Sequence, residues 1–263
     1  MNKQIYKNGI LKKFIAPVAC FCILNVFWPT AAMAAPEEVQ VYLDDFAEVG
    51  KFGLDLHTNY VASDQMGGQS DALHEFRLTP ELSYGINNNW EVAAYWLTVK
   101  DPGISPQTDG MKLRTRYRPK APSAESPFYW AANFEVGQLS QRFYPDGTSG
   151  EIKLIGVWKT EPWTLGINLN LDHALKSNAT LGTTYEIDSK VSYQIKEGVE
   201  VGFENYSYRG EINNTTGISQ SSVTNYLATD FSLGKWDFNV GIGQASSGQS
   251  DKTIVKAIIG VPL

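Results

Sequence analysis

The stretch Thr184–Ile195, TYEIDSKVSYQI, alternates apolar and polar side chains one by one. Tyr185, Ile187, Val191, Tyr193 and Ile195 share one side of an extended chain, and Glu186, Asp188, Lys190, Ser192 and Gln194 share the other. Successive side chains of a β-strand point to opposite faces, so a strand of this kind separates an oily medium from a wet one.

The same period recurs along the chain and predicts strands at 51–62, 73–86, 90–101, 109–119, 127–138, 149–159, 162–174, 182–195, 198–209, 221–234, 235–246 and 252–263. Short links fall at Asn87–Asn89, Thr160–Glu161, Lys196–Glu197 and Gly234–Lys235, with a slightly longer one at Lys120–Ser126; longer links alternate with them. An even number of amphipathic strands joined by alternating short and long links is the pattern of an up-and-down antiparallel transmembrane β-barrel. The fold class expected is therefore all-β, a twelve-stranded barrel in the cell outer membrane of a Gram-negative bacterium. Short turns lie on the periplasmic side of such barrels, which puts both termini there.

Each strand tells which face meets lipid. Phe76, Leu78, Leu82, Tyr84 and Ile86 alternate with Glu75, Arg77, Thr79, Glu81 and Ser83; Met111, Leu113 and Tyr117 alternate with Lys112, Arg114, Arg116 and Arg118. A soluble β-sandwich also alternates, but its outward face would not carry such complete apolar rows. Trp90, Trp163 and Trp236 each follow a short turn directly and predict an aromatic girdle at one membrane interface. The last strand shows Val255, Ala257, Ile259, Val261 and Leu263 on one face, a signal for the barrel-assembly machinery, with Leu263 where a terminal aromatic is usual. Pro80 falls inside the second strand and predicts a bulge or a broken ladder.

The first residues read as a cleaved signal peptide, 1–34: Lys3, Lys7, Lys12 and Lys13 precede an apolar run from Phe14 to Trp28 and a small-residue site at Ala32 and Ala34. A retained membrane helix is disfavoured by Pro17 and Pro29, and a lipoprotein signal at Cys20 by the residues before it. The remaining chain carries 18 basic and 28 acidic side chains, a net charge of −10, which argues against nucleic acid as a partner. Both cysteines, Cys20 and Cys22, lie in the leader, so disulfides are not expected to hold the exported fold. Residues 35–50 form a periplasmic N-terminal segment before the barrel at 51–263. The alternation of Val39, Val41 and Leu43 in it fits an extra strand, an extension or a plug.

The stretches FGLDLHTNYV (52–61), HEFRLTPELSYGINNNWEV (74–92), DGMKLRTRYRP (109–119) and NFEVGQLSQRF (133–143) resemble a family of proteobacterial outer-membrane β-barrels of unassigned activity. That family is similar in turn to barrels associated with aromatic-compound (phenol meta-pathway) degradation or transport. The resemblance covers much of the first half of the exported chain and weakens after about Ile155. It implies location and fold and carries over no catalytic residue.

The inward residues decide what such a barrel does. Arg77, Glu81, Lys112, Arg114, Arg116, Arg118, Glu135, Glu186, Asp188 and Glu204 are the expected lumen-lining set. The cations of the fourth strand face acids of the eighth and ninth, a transverse field that would select small polar or anionic solutes. Hairpin pairing places Glu91 near Arg118, Tyr95 near Arg114, Tyr129 near Arg116 and Glu135 near Lys112. Alternatively these charges are satisfied ion pairs that fill the barrel. A lipid hydrolase needs a rim serine and histidine; His74 and His173 are at the right level with Ser63, Ser149 or Ser177, yet no strand shows a Ser–His–carboxylate set. His57 points inward. No spacing suggests a metal or other cofactor. The expected function is an outer-membrane channel or transporter for passive passage of small polar, anionic or aromatic solutes, with membrane lipid, lipopolysaccharide and the assembly machinery as partners. A filled barrel with a structural or interaction role, and a lipid hydrolase, are the alternatives.

Overall fold

The computed structural model of the chain describes residues 38–64, 74–120, 123, 126–141, 143–144, 146–179, 182–213, 222–247 and 251–263. The expected signal peptide with its cleavage site lies outside them. Twelve strands form: β1 Phe52–Asp64, β2 Glu75–Gly85, β3 Trp90–Lys100, β4 Gln107–Tyr117, β5 Phe128–Leu139, β6 Thr148–Thr160, β7 Trp163–Ala174, β8 Thr184–Lys196, β9 Val199–Glu211, β10 Ser222–Leu233, β11 Trp236–Ser247 and β12 Asp251–Val261. Each pairs antiparallel with its sequence neighbours, and β1 closes onto β12 from Leu54↔Val261 to Asp64↔Asp251. Closure leaves no sheet edge, the condition for strands to stand in hydrocarbon, where an unpaired backbone group has no water to turn to. Every strand end agrees with the alternation reading to within two residues.

Burial runs opposite to that of a soluble domain. Leu227 is 68% exposed and Leu113 60%, while Arg116, Glu91, Glu204 and Lys256 are each 1% exposed. The apolar rows therefore face outward and the charges point into the cylinder, the arrangement a lipid surround requires. Around the short-turn rim, aromatic side chains pair at the strand ends: Trp90 with Tyr117 at 4.7 Å, Trp163 edge-on to Tyr193 at 4.9 Å, Phe52 with Tyr84 at 4.9 Å and Phe231 stacked on Phe238 at 5.0 Å between ring centroids. Trp236 starts β11 at the same rim and is exposed.

Pro80 produces no bulge. Its ladder to β1 continues through Leu56↔Pro80, but pairing with β3 skips from Leu78↔Thr98 to Glu81↔Tyr95 with the register unchanged. The missing N–H opens a gap on one side only.

Residues Glu38–Val49 form no strand of the barrel; they run inside it. At the short-turn rim Val49 makes a single parallel bridge to Gly85, Gly50 N donates to Gly85 O at 2.7 Å, and Lys51 N donates to Glu48 O at 2.9 Å. Gly50 turns the chain from the lumen into β1 with φ of 75°, a left-handed conformation that favours glycine.

Candidate functional site

The site is the lumen, and the segment inside it is its centre. Asn168, fully buried on β7, takes Tyr42 N on its Oδ1 at 2.7 Å and donates its Nδ2 to Tyr42 O at 3.0 Å. Lys256 of β12 donates to Val39 O at 3.1 Å, and Ala47 N donates to Glu91 Oε2 at 2.5 Å. Arg116 donates to Asp45 O. The barrel wall thus supplies side chains in place of a strand partner, which satisfies the backbone of a segment that belongs to no sheet.

Side chains complete the seating. Tyr42 OH lies 3.0 Å from Tyr95 OH and accepts from Arg114 Nη1 at 2.9 Å, while it donates to Glu38. Burial pushes the Tyr42 hydroxyl well above its usual range, outweighing the nearby Arg114 charge, so it remains a neutral donor. The rings of Tyr42 and Phe46 sit under cations: Lys153 is 4.2 Å from the Tyr42 centroid, and Arg116 and Arg118 are 4.2 and 4.0 Å from that of Phe46. Desolvated contacts of this kind contribute roughly 1–2 kcal/mol each.

The lining residues gather into three groups. In the first, Arg114 donates to Glu81 and to Glu91 at 2.7 Å, Arg116 donates to Glu91 at 2.9 Å, and His57 Nε2 lies 3.1 Å from Glu81. In the second, Glu204 lies between Lys256 at 2.5 Å and Lys190 at 3.2 Å, accepts from Tyr206 at 2.8 Å, and Lys190 reaches Asp230 at 2.7 Å. In the third, Glu135, Glu151 and Asp172 stand directly opposite one another across β5, β6 and β7, with Lys112 3.3 Å from Glu135 and Lys153 3.3 Å from Glu151. Glu186 and Asp188 complete this group's wall, and Asp188 accepts from Asn170 at 2.7 Å. Arg77 stands apart near the long-link rim, paired with Glu75 and with Asp251 at 2.9 Å. Arg118 leaves the lumen proper and donates to Asn88 O at 2.9 Å.

Two of the hairpin contacts expected from the sequence form, Arg114 donating to the Tyr95 hydroxyl and Lys112 lying 3.3 Å from Glu135. The ladder itself is corrected by two residues at Glu91, which stands opposite and bonds Arg116, not Arg118. A slip of two keeps every side chain on its own face, so alternation is blind to it. The uniform transverse field is corrected too. Arg114 and Arg116 are neutralised by Glu81 of β2 and Glu91 of β3, and Glu204 by Lys190 and Lys256. Around the third group the acids Glu135, Glu151, Asp172, Glu186 and Asp188 outnumber the cations Lys112 and Lys153. Lys190 and Lys256 stand outside the expected lining set, although the alternation puts Lys190 on the wet face with Glu186 and Asp188 and Lys256 between the outward Val255 and Ala257.

Two cavities flank the segment. One of about 130 Å³ is lined by Glu38 and Gln40 with Glu151, Asp172, Glu186 and Tyr144. The other, about 420 Å³, is lined by Gln40, Val41, Leu43 and Asp45 with Glu200, Asp230 and Asp237 near the short turns. His74 and His173, the histidines of the hydrolase alternative, bond to the Tyr60 hydroxyl at 2.5 Å and the Thr183 hydroxyl at 3.0 Å.

No protein-family model matches the chain, and no curated protein matches its sequence. Solved structures match its shape. The KdgM porin in complex with disordered oligogalacturonate is 14% identical, over 80% of this chain and 99% of that one, with a TM-score of 0.55. The NanC porin is 13% identical over 79% and 97%, with a TM-score of 0.53. The COG4313 outer membrane channel from Pseudomonas putida F1 is 10% identical over 85% and 99%, with a TM-score of 0.60. At such identities the likeness establishes the fold, that of the outer-membrane β-barrels. None of the three names a phenol meta-pathway protein.

Proposed function

We propose that the protein is an outer-membrane channel, both termini periplasmic, for passive passage of small polar, anionic or aromatic solutes, and that its own N-terminal segment holds it shut at rest. The observation that carries this reading is the pair of cavities, about 130 and 420 Å³, that the segment lines, with Gln40 facing both. A barrel meant only to be filled has no need of space on both sides of a removable segment. Moving the segment uncovers Arg118 and the face of Arg116 that lies over the Phe46 ring, cations that would meet anionic solutes; the oligogalacturonate of the KdgM porin complex is a solute of that charge. Aromatic solutes enter the reading through the sequence resemblance alone.

Planar-bilayer recording tests it. The full chain should conduct weakly and a variant lacking residues 38–47 strongly, and Arg114→Ala with Arg116→Ala in the shortened protein should shift selectivity toward cations. Silence of both proteins would sink the reading in favour of the filled barrel, which draws its own support from how completely the buried charges of the first two groups are paired. Release of fatty acid from phospholipid micelles, abolished by His173→Ala, would instead identify a lipid hydrolase.

A further inference from the structure

The segment brings Glu38 beside His57 of β1 and Glu81 of β2, and one ligand atom of each, a carboxylate oxygen from either glutamate and a ring nitrogen from the histidine, lie within 4.8 Å of one another. Among the described residues no other set of His, Cys, Asp and Glu gathers this tightly. We propose that these three side chains bind a divalent transition-metal ion of the Zn2+ class, which clasps the N-terminal segment to the barrel wall. The clasp rests on the reading of that segment as the element that closes the channel. It also departs from the expectation drawn from spacing, because its ligands come from three elements that only the closed barrel brings together.

The donor set suits the ion. One imidazole and two carboxylates leave a fourth position open, as in many zinc sites with three protein ligands. His57 Nε2 and Glu81 Oε2 are 3.1 Å apart, near the edge of about 3.3 Å that a tetrahedron with bonds of about 2.0–2.1 Å would have. Glu38 belongs to the segment rather than to a strand, so it can close the remaining gap.

Two of the three ligands are already held by neighbouring side chains. Arg114 donates to the other oxygen of Glu81, and the Tyr42 hydroxyl donates to Glu38, contacts that orient ligating carboxylates. The other ring nitrogen of His57, Nδ1, is buried with no hydrogen-bond partner, so no second contact fixes the ring against adjusting to a metal. Charge points the same way. Asp55 stands directly opposite Glu81, a like-charge pair that is unfavourable by itself. The carboxylates of Glu38, Asp55, Glu81 and Glu91 gather around Arg114 and Arg116, with Lys153 over the Tyr42 ring, and a divalent ion adds positive charge where acids outnumber cations.

The test uses refolded full chain carrying Cys20→Ala and Cys22→Ala, stripped of metal, with Zn2+ titrated against a chromophoric chelator and, separately, added during bilayer recording. One equivalent should bind. Loss of a supporting contact around a bound metal costs roughly 10–100-fold, so His57→Ala and Glu38→Gln, which remove ligands, should weaken binding at least about tenfold. His74→Ala and His173→Ala should leave it unchanged. Zn2+ should lower conductance of the parent and not of Glu38→Gln, whose barrel wall is untouched. Absent saturable binding, binding that survives His57→Ala, or a bound ion with no effect on a conducting protein would each overturn the clasp. A protein that never conducts defeats the channel reading instead, and the chelator titration still decides the site.

Discussion

Asn168 holds both backbone polar groups of Tyr42, taking the N–H at 2.7 Å and giving its amide to the carbonyl at 3.0 Å. A single side chain thus imitates a neighbouring strand for one residue of the segment. Asn168→Ala removes both bonds and leaves two buried peptide groups unmet, a cost of about 1–3 kcal/mol. The displaced state of the segment should become about ten- to a hundredfold more populated. Faster protease cleavage within residues 38–47, with the barrel intact, checks it; unchanged cleavage would show that Asn168 does not hold the segment.

Arg114 touches Glu81, Glu91, Tyr42 and Tyr95 at once. Arg114→Leu leaves the two glutamates buried without that partner, and breaking a buried pair from one side costs about 3–5 kcal/mol. The thermal unfolding of the refolded barrel should fall accordingly. Glu81→Gln added to Arg114→Leu should recover part of the loss, because it removes one stranded charge.

At the base of the lumen a Cβ on Gly85 would meet Glu48 O at 2.4 Å and Ala47 O at 2.6 Å, both backbone atoms that cannot swing aside. Gly85→Val should therefore expel the foot of the segment while β2 keeps its ladder. Greater conductance with heat stability near that of the parent is the expected pair of readings, and a closed channel would contradict it.

Leu227, near the middle of β10, is 68% exposed on the outer face. Leu227→Arg should cost about 2–4 kcal/mol if that level lies at the bilayer midplane. Folding titrations into lipid vesicles measure it. Loss of less than about 1 kcal/mol would mean that the strand sits at an interface rather than in hydrocarbon.

The strands were legible because a period of two is written residue by residue, and in TYEIDSKVSYQI it admits no competing helical reading. The lumen-lining residues followed from the same period, since knowing the lipid face fixes the other. Glu91–Arg116 was missed for Glu91–Arg118 because β4 runs from Gln107 to Tyr117, two residues earlier than the alternation places it, and a shift of two leaves every face unchanged. The course of Glu38–Val49 was legible only as a choice among three. Val39, Val41 and Leu43 alternate like a strand, and nothing local says that Asn168, Lys256 and Arg116, distant in sequence, will supply its partners.

Val49 and Gly50 bind the lumenal segment to the rim just before β1, and that covalent tether changes how its affinity should be judged. A ligand joined through so short a linker rebinds at an effective concentration on the order of millimolar or above. Its contacts can therefore be individually weak and quickly broken and still keep the lumen occupied most of the time. The segment is never lost to dilution, and its return to the lumen does not depend on how much protein the membrane holds.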